Sequence, residues 1–151
     1  MELWQLNILV VLLIAIFTRK DMAVIASAVM LIGLLVGLGD YTQAQESLYY
    51  CGLNSLFTVL AVSYNKLKQC HLSLFTAICA ALATTANLIQ MYDPTALSSI
   101  ITGLIGWFLA SALLFMDGDK GMVNGFLGDL RATTGRIVYS LIHYNNNKGH
   151  H

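Results

Sequence analysis

Five stretches of this chain contain no Asp, Glu, Lys or Arg: Leu3 to Thr18, Met22 to Gly39, Ser47 to Tyr64, Leu72 to Tyr92, and Leu97 to Met116. Each reaches or approaches the roughly 20 apolar residues that a helix needs to cross a hydrocarbon core about 30 Å thick. Charged residues make up only 11% of the chain, against roughly 25% in an average soluble domain. The mean hydropathy is +0.68, which also excludes a disordered chain. One proline, Pro94, suits a sequence that is nearly all helix. The expected fold is all-α, a polytopic membrane bundle. Five transmembrane helices fill residues 1–118, and residues 119–151 hold an amphipathic interfacial helix and a polar tail.

The boundaries support that division. Arg19-Lys20-Asp21 parts the first two stretches, and a single span with three charges at its centre would be costly, so a tight hairpin is expected. Met1-Glu2 offers no basic n-region, and no small-x-small site precedes Arg19, so the first stretch is expected to be retained rather than cleaved. Trp4, Tyr41, Tyr49, Tyr50, Tyr64 and Tyr92 fall at helix ends, where amphipathic rings sit well. Gly39-Asp40 and Asp93-Pro94 signal turns, and Asp93 with Pro94 suits the start of the fifth helix.

Arg19, Lys20, Lys66, Lys68, Lys120, Arg131, Arg136 and Lys148 all fall on one side of a five-span map. The positive-inside rule makes that side cytoplasmic in an inner membrane, with the N-terminus outside. Arg19, Lys20, Lys66, Lys68, Arg131 and Arg136 are then expected at the membrane surface. Eight basic residues balance eight acidic ones, and no net field attracts nucleic acid. The expected partners are the lipid bilayer and either further copies of the chain or another membrane protein.

Within the spans, small residues suggest close helix packing. Gly33 and Gly37 form a GxxxG pair, Ala77 and Ala81 stand four apart, and Gly103, Gly106 and Ala110 thin one side of the fifth stretch. Uncharged polar residues, Asn54, Thr58, Thr84, Asn87 and Gln90, serve either as interhelical hydrogen-bonding groups or as a narrow polar path. Asn54 and Asn87 are expected at similar depth and within reach of each other. Cys51, Cys70 and Cys79 lack metal or redox spacing and read as small apolar residues.

From Met122 to Tyr144 the pattern changes. Val123, Leu127, Leu130, Thr134, Ile137, Leu141 and Tyr144 alternate four and three apart and line one helical face. Asp129, Arg131 and Arg136 argue against a sixth span. The helix is expected to lie at the membrane surface, to bind a partner, or to pack under its own bundle. Gly121, Gly125, Gly128 and Gly135 weaken it in isolation. His150 and His151 with His143 make a weak metal pattern in a polar tail.

No GxSxG, HExxH, phosphate-binding glycine loop or paired intramembrane carboxylates occur, so no enzyme, catalytic residue, cofactor or metal is expected. In general style (short loops, no catalytic residues, a charged cytoplasmic tail) the chain resembles phage holins, though five spans exceed their usual number. That likeness implies self-assembly, scaffolding or permeabilisation in the inner membrane, and a phage-membrane-associated protein, either a membrane component of a phage particle or a phage exclusion protein, fits the same style. A small channel or transporter for an uncharged solute is one alternative. A membrane subunit docked into a larger complex through its C-terminal helix is the other.

Overall fold

A computed structural model describes residues 3–93 and 96–149. Six helices follow in order: α1 Leu3–Thr18, α2 Asp21–Gly37, α3 Gln43–Lys68, α4 His71–Tyr92, α5 Ala96–Phe115 and α6 Gly121–Lys148. The chain divides into two compact units, Met1–Asp119 and Lys120–His151. In the first, each helix packs on its neighbour in sequence, α5 returns to α1, and α2 also touches α4. The five helices thus close a ring, with α3 and α4 sharing its largest interface.

Turn chemistry sets this order. The α1–α2 and α3–α4 connections are two-residue turns of the same form. Arg19 (φ 53°) and Gln69 (φ 48°) take the left-handed conformation, and Lys20 and Cys70 are extended before the next helix begins. Such short links force antiparallel neighbours. α3 starts with a capping box: Gln45 N–H donates to Thr42 Oγ1 (3.4 Å), and Thr42 N–H donates to Gln45 Oε1 (3.1 Å). Two backbone donors are satisfied there, so the helix begins a full turn before Ser47. The proposed role of Pro94 at the start of α5 lies outside the described residues.

The core is built mostly from small and medium side chains. Ala23, Ala26, Ala61, Ala77, Ala80, Ala110 and Ala112 are buried with Val11, Met22, Leu72 and Leu113. Because alanine lets helices approach closely, many larger residues point outward, among them Phe17, Leu35, Ile78, Leu82, Ile89, Phe108 and Phe115.

The five-span membrane reading requires correction. Among the described residues one helix, His71–Tyr92, is both long and apolar enough to cross a membrane. Trp4–Thr18, Asp21–Gly37 and Ile100–Phe115 are apolar but too short. At 1.5 Å per residue, α1 with its 16 residues covers about 24 Å of the required 30 Å. α3 is long enough, but Gln43, Gln45, Glu46, Lys66 and Lys68 lie within it and lower its hydropathy. Even in α4, 44% of the most apolar stretch is buried against the rest of the protein. What the helices form is an all-α bundle of extensively packed neighbours. The five-span count falls, and with it the inner-membrane location, the inside–outside map, the bilayer and its oligomers as partners, and the holin-like, channel and membrane-subunit functions that depended on it.

Candidate functional site

The most concentrated polar chemistry of the first unit lies where the α1–α2 turn meets the end of α5. Lys20 is 8% exposed. Its Nζ donates to the carbonyls of Leu113 (2.8 Å), Leu114 (3.1 Å) and Met116 (2.5 Å). The last carbonyls of a helix lack partners within it and carry the negative end of its dipole. A three-donor ammonium placed on that end satisfies both needs. Gly118 then folds over the lysine stem: a Cβ there would stand 3.1 Å from Lys20 Cδ and 2.8 Å from Leu72 Cδ2.

Asp21, 2% exposed, follows directly. Its backbone N–H donates to the Asp119 carbonyl (2.9 Å), and its Oδ2 accepts from the Tyr64 hydroxyl (2.5 Å). Burial pushes the Tyr64 phenol well above its usual range, and the hydrogen bond and charge of Asp21 push it the same way. Tyr64 therefore remains a neutral donor. Beside it, Ser73 Oγ lies 2.6 Å from the Cys70 carbonyl and 2.9 Å from Asn65 Oδ1. Lys68 Nζ stands 3.9 Å from Asp119 Oδ2 at the rim. These groups fasten α2, α3 and the 116–119 segment together. Asp21 and Tyr64 are too deeply buried to meet a substrate, so the cluster acts as a latch.

The residues singled out in the sequence are dispersed. Lys20 is buried, whereas Arg19, Lys66, Lys68, Arg131 and Arg136 are exposed. Gly33 accepts Leu53 and Tyr50 of α3, and Gly37 lies against Tyr50 and Trp4. Gly106 seats Asn7, whose Oδ1 is buried without a hydrogen-bond partner among the described residues. Gly103 faces open space, Ala77 and Ala110 are buried, and Ala81 is exposed. Thr58 and Thr84 bond to carbonyls four residues back, on Asn54 and Ala80. Asn87 is buried, Asn54 and Gln90 are half-buried, and no hydrogen bond joins Asn54 to Asn87. Cys51, Cys70 and Cys79 are free thiols, and burial raises the Cys79 pKa. An apolar cleft of about 310 Å³ between α4 and α5 is lined by Leu82, Thr85, Ala86, Ile89, Ile101 and Ile105. The Thr85 hydroxyl donates to the Ala81 carbonyl, and the remaining lining side chains are aliphatic. His150 and His151 lie outside the described residues.

The second unit is organised differently. α6 runs 28 residues and buries none of them. Leu127, Leu130, Ile137, Leu141 and Tyr144 are 40–59% exposed, and Val123 is half-buried. On the opposite face Gly121, Gly125, Gly128, Ala132 and Gly135 repeat with the same four-three spacing, two residues out of phase. A Cβ added at Gly125, Gly128 or Gly135 would meet nothing within 4 Å. One face is an apolar seam; the other is small-residue backbone as far as Gly135 and continues into the exposed Tyr139 and Ile142.

Family models, curated proteins and solved structures were each compared with the chain, and none matches it.

Proposed function

We propose that the chain is a non-catalytic docking protein, with the five-helix ring as its folded base and α6 as the element that engages a helix of another protein. One observation carries this reading: a 28-residue helix that buries no residue and leaves an apolar seam exposed. Isolated helices are marginal in water, and interior glycines cost about 1 kcal/mol each relative to alanine. A helix with this sequence therefore gains its stability from whatever covers the seam. The four-three alternation has a mean period of 3.5 residues, which a second helix with the same period matches along its whole length. The buried Lys20, Asp21 and Tyr64 of the first unit support the same division of labour, since their hydrogen bonds join elements of that unit.

The test is site-specific photo-crosslinking in cells. A photoreactive residue in place of Leu130 or Leu141 should give one discrete adduct with another protein. The same residue in place of Ala132, on the opposite face, should give none. Equal yields from all three positions, or none from any, would remove α6 as a docking helix.

A further inference from the structure

Resting on the docking reading of α6, we infer that its partner is an acidic heptad helix, with carboxylates at the two ends of the seam and apolar residues between. The sequence positions the charges. If Leu127, Thr134 and Leu141 form one row of the seam, seven residues apart, the same row reaches Lys120 at one end and Lys148 at the other. Val123, Leu130, Ile137 and Tyr144 make the companion row. Lys120 immediately precedes the helix and Lys148 closes it. The ammonium of Lys148 lies 4.8 Å from the centroid of the Tyr144 ring, which places that cation on the seam.

A lysine in such a row selects partners, because the residue across the layer must tolerate its charge. A second copy aligned in parallel would set Lys120 against Lys120 and Lys148 against Lys148. An acidic residue in either layer instead forms a cross-layer pair, whichever way the partner helix runs. Arg131, at the flank of the seam, adds a third cation within reach of the same partner. Over the unit as a whole, Lys120, Arg131, Arg136 and Lys148 stand against one carboxylate, Asp129. Thr134, the polar residue of the central layer, donates its hydroxyl to the Leu130 carbonyl (2.8 Å). It needs no polar group from the partner, so charge selection falls at the ends.

The test uses the full chain and three labelled 28-residue peptides, each apolar in its seam rows. Their end layers and flanks carry Glu, Gln or Lys, and each is held below its own self-association concentration. In fluorescence anisotropy at low salt the Glu peptide should bind at least tenfold tighter than the Gln peptide, and the Lys peptide more weakly still. K120E/K148E should reverse that order. If Glu and Gln peptides bound equally, the acidic-partner inference would fall while α6 remained a docking helix. If no peptide bound but anionic phosphatidylglycerol vesicles did, the occupant would be a lipid surface and both readings would fall. Self-association of the chain on sedimentation, abolished by L130D/L141D, would make a second copy the occupant and overturn the inference.

Discussion

Lys20 and Lys148 each border an apolar helix, yet the protein uses them in opposite ways. Lys20 is drawn inside, where three carbonyls at the end of α5 take its N–H groups. Lys148 remains outside, over the Tyr144 ring, at the end of a helix that buries nothing. A charge within the fold locks elements together through partners it brings with it. A charge at the end of an uncovered seam has its natural partner in another molecule. The charged groups of the α1–α2 turn are therefore partnered within the first unit, whereas the cations of the second border an exposed seam.

Removing the buried cation should produce the largest effect. Lys20→Met leaves the terminal carbonyls of α5 without their charged donor, and hydrogen bonds to charged groups are worth about 1.5–3 kcal/mol. Urea unfolding followed by the fluorescence of Trp4 and Trp107 should show a loss of about 3 kcal/mol. Lys148→Met should change the same transition by less than about 0.5 kcal/mol, as surface substitutions do. Comparable losses in both variants would erase the contrast.

Tyr64→Phe should cost the first unit about 1–3 kcal/mol, because the buried Asp21 carboxylate loses a donor. It should also alter the response to alkali. The folded pKa of Tyr64 is raised above an unfolded value of about 10. Its contribution is thus fully present below pH about 10 and is lost as pH rises beyond it. Melting curves from pH 8 to 11 should fall less steeply for the Phe variant than for the wild type.

Gly128→Ala addresses the other half of the comparison. Its Cβ enters open space, so α6 should gain about 1 kcal/mol in helix propensity while the unfolding of the first unit stays unchanged. Circular dichroism and the tryptophan transition separate the two. The smallest effect is expected at Gln69, whose φ of 48° suits glycine. Gln69→Gly should stabilise the α3–α4 turn by about 0.5–1 kcal/mol, again read by urea unfolding.

The all-α character and the six helical segments were legible in the sequence, because uncharged runs end at abrupt polar signals such as Arg19-Lys20-Asp21 and Gly39-Asp40. Their membrane assignment was not. Counting apolar residues does not show that α3 extends from Gln43 to Lys68, carried past Ser47 by the Thr42 capping box and past Tyr64 by residues that break no helix. Nor does it show that large apolar residues such as Phe17, Leu35 and Phe115 point outward, although the packing of Ala77 and Ala110 could be anticipated from their spacing. The latch was illegible for a different reason. Tyr64 meets Asp21 across 43 residues of chain, and Lys20 meets Leu113 across 93, distances over which local pattern carries no information. The seam of α6 could be read directly, since its residues belong to one continuous helix.

Amide hydrogen exchange on the isolated full chain tests the division between a packed unit and an exposed helix most directly. Strong protection is expected across α4 and the buried turns of α1, α2 and α5, with exchange near the unprotected rate from Asn124 to Lys148. Addition of the Glu heptad peptide should slow exchange in that segment alone. Protection of α6 equal to that of α4, in the chain by itself, would contradict the account.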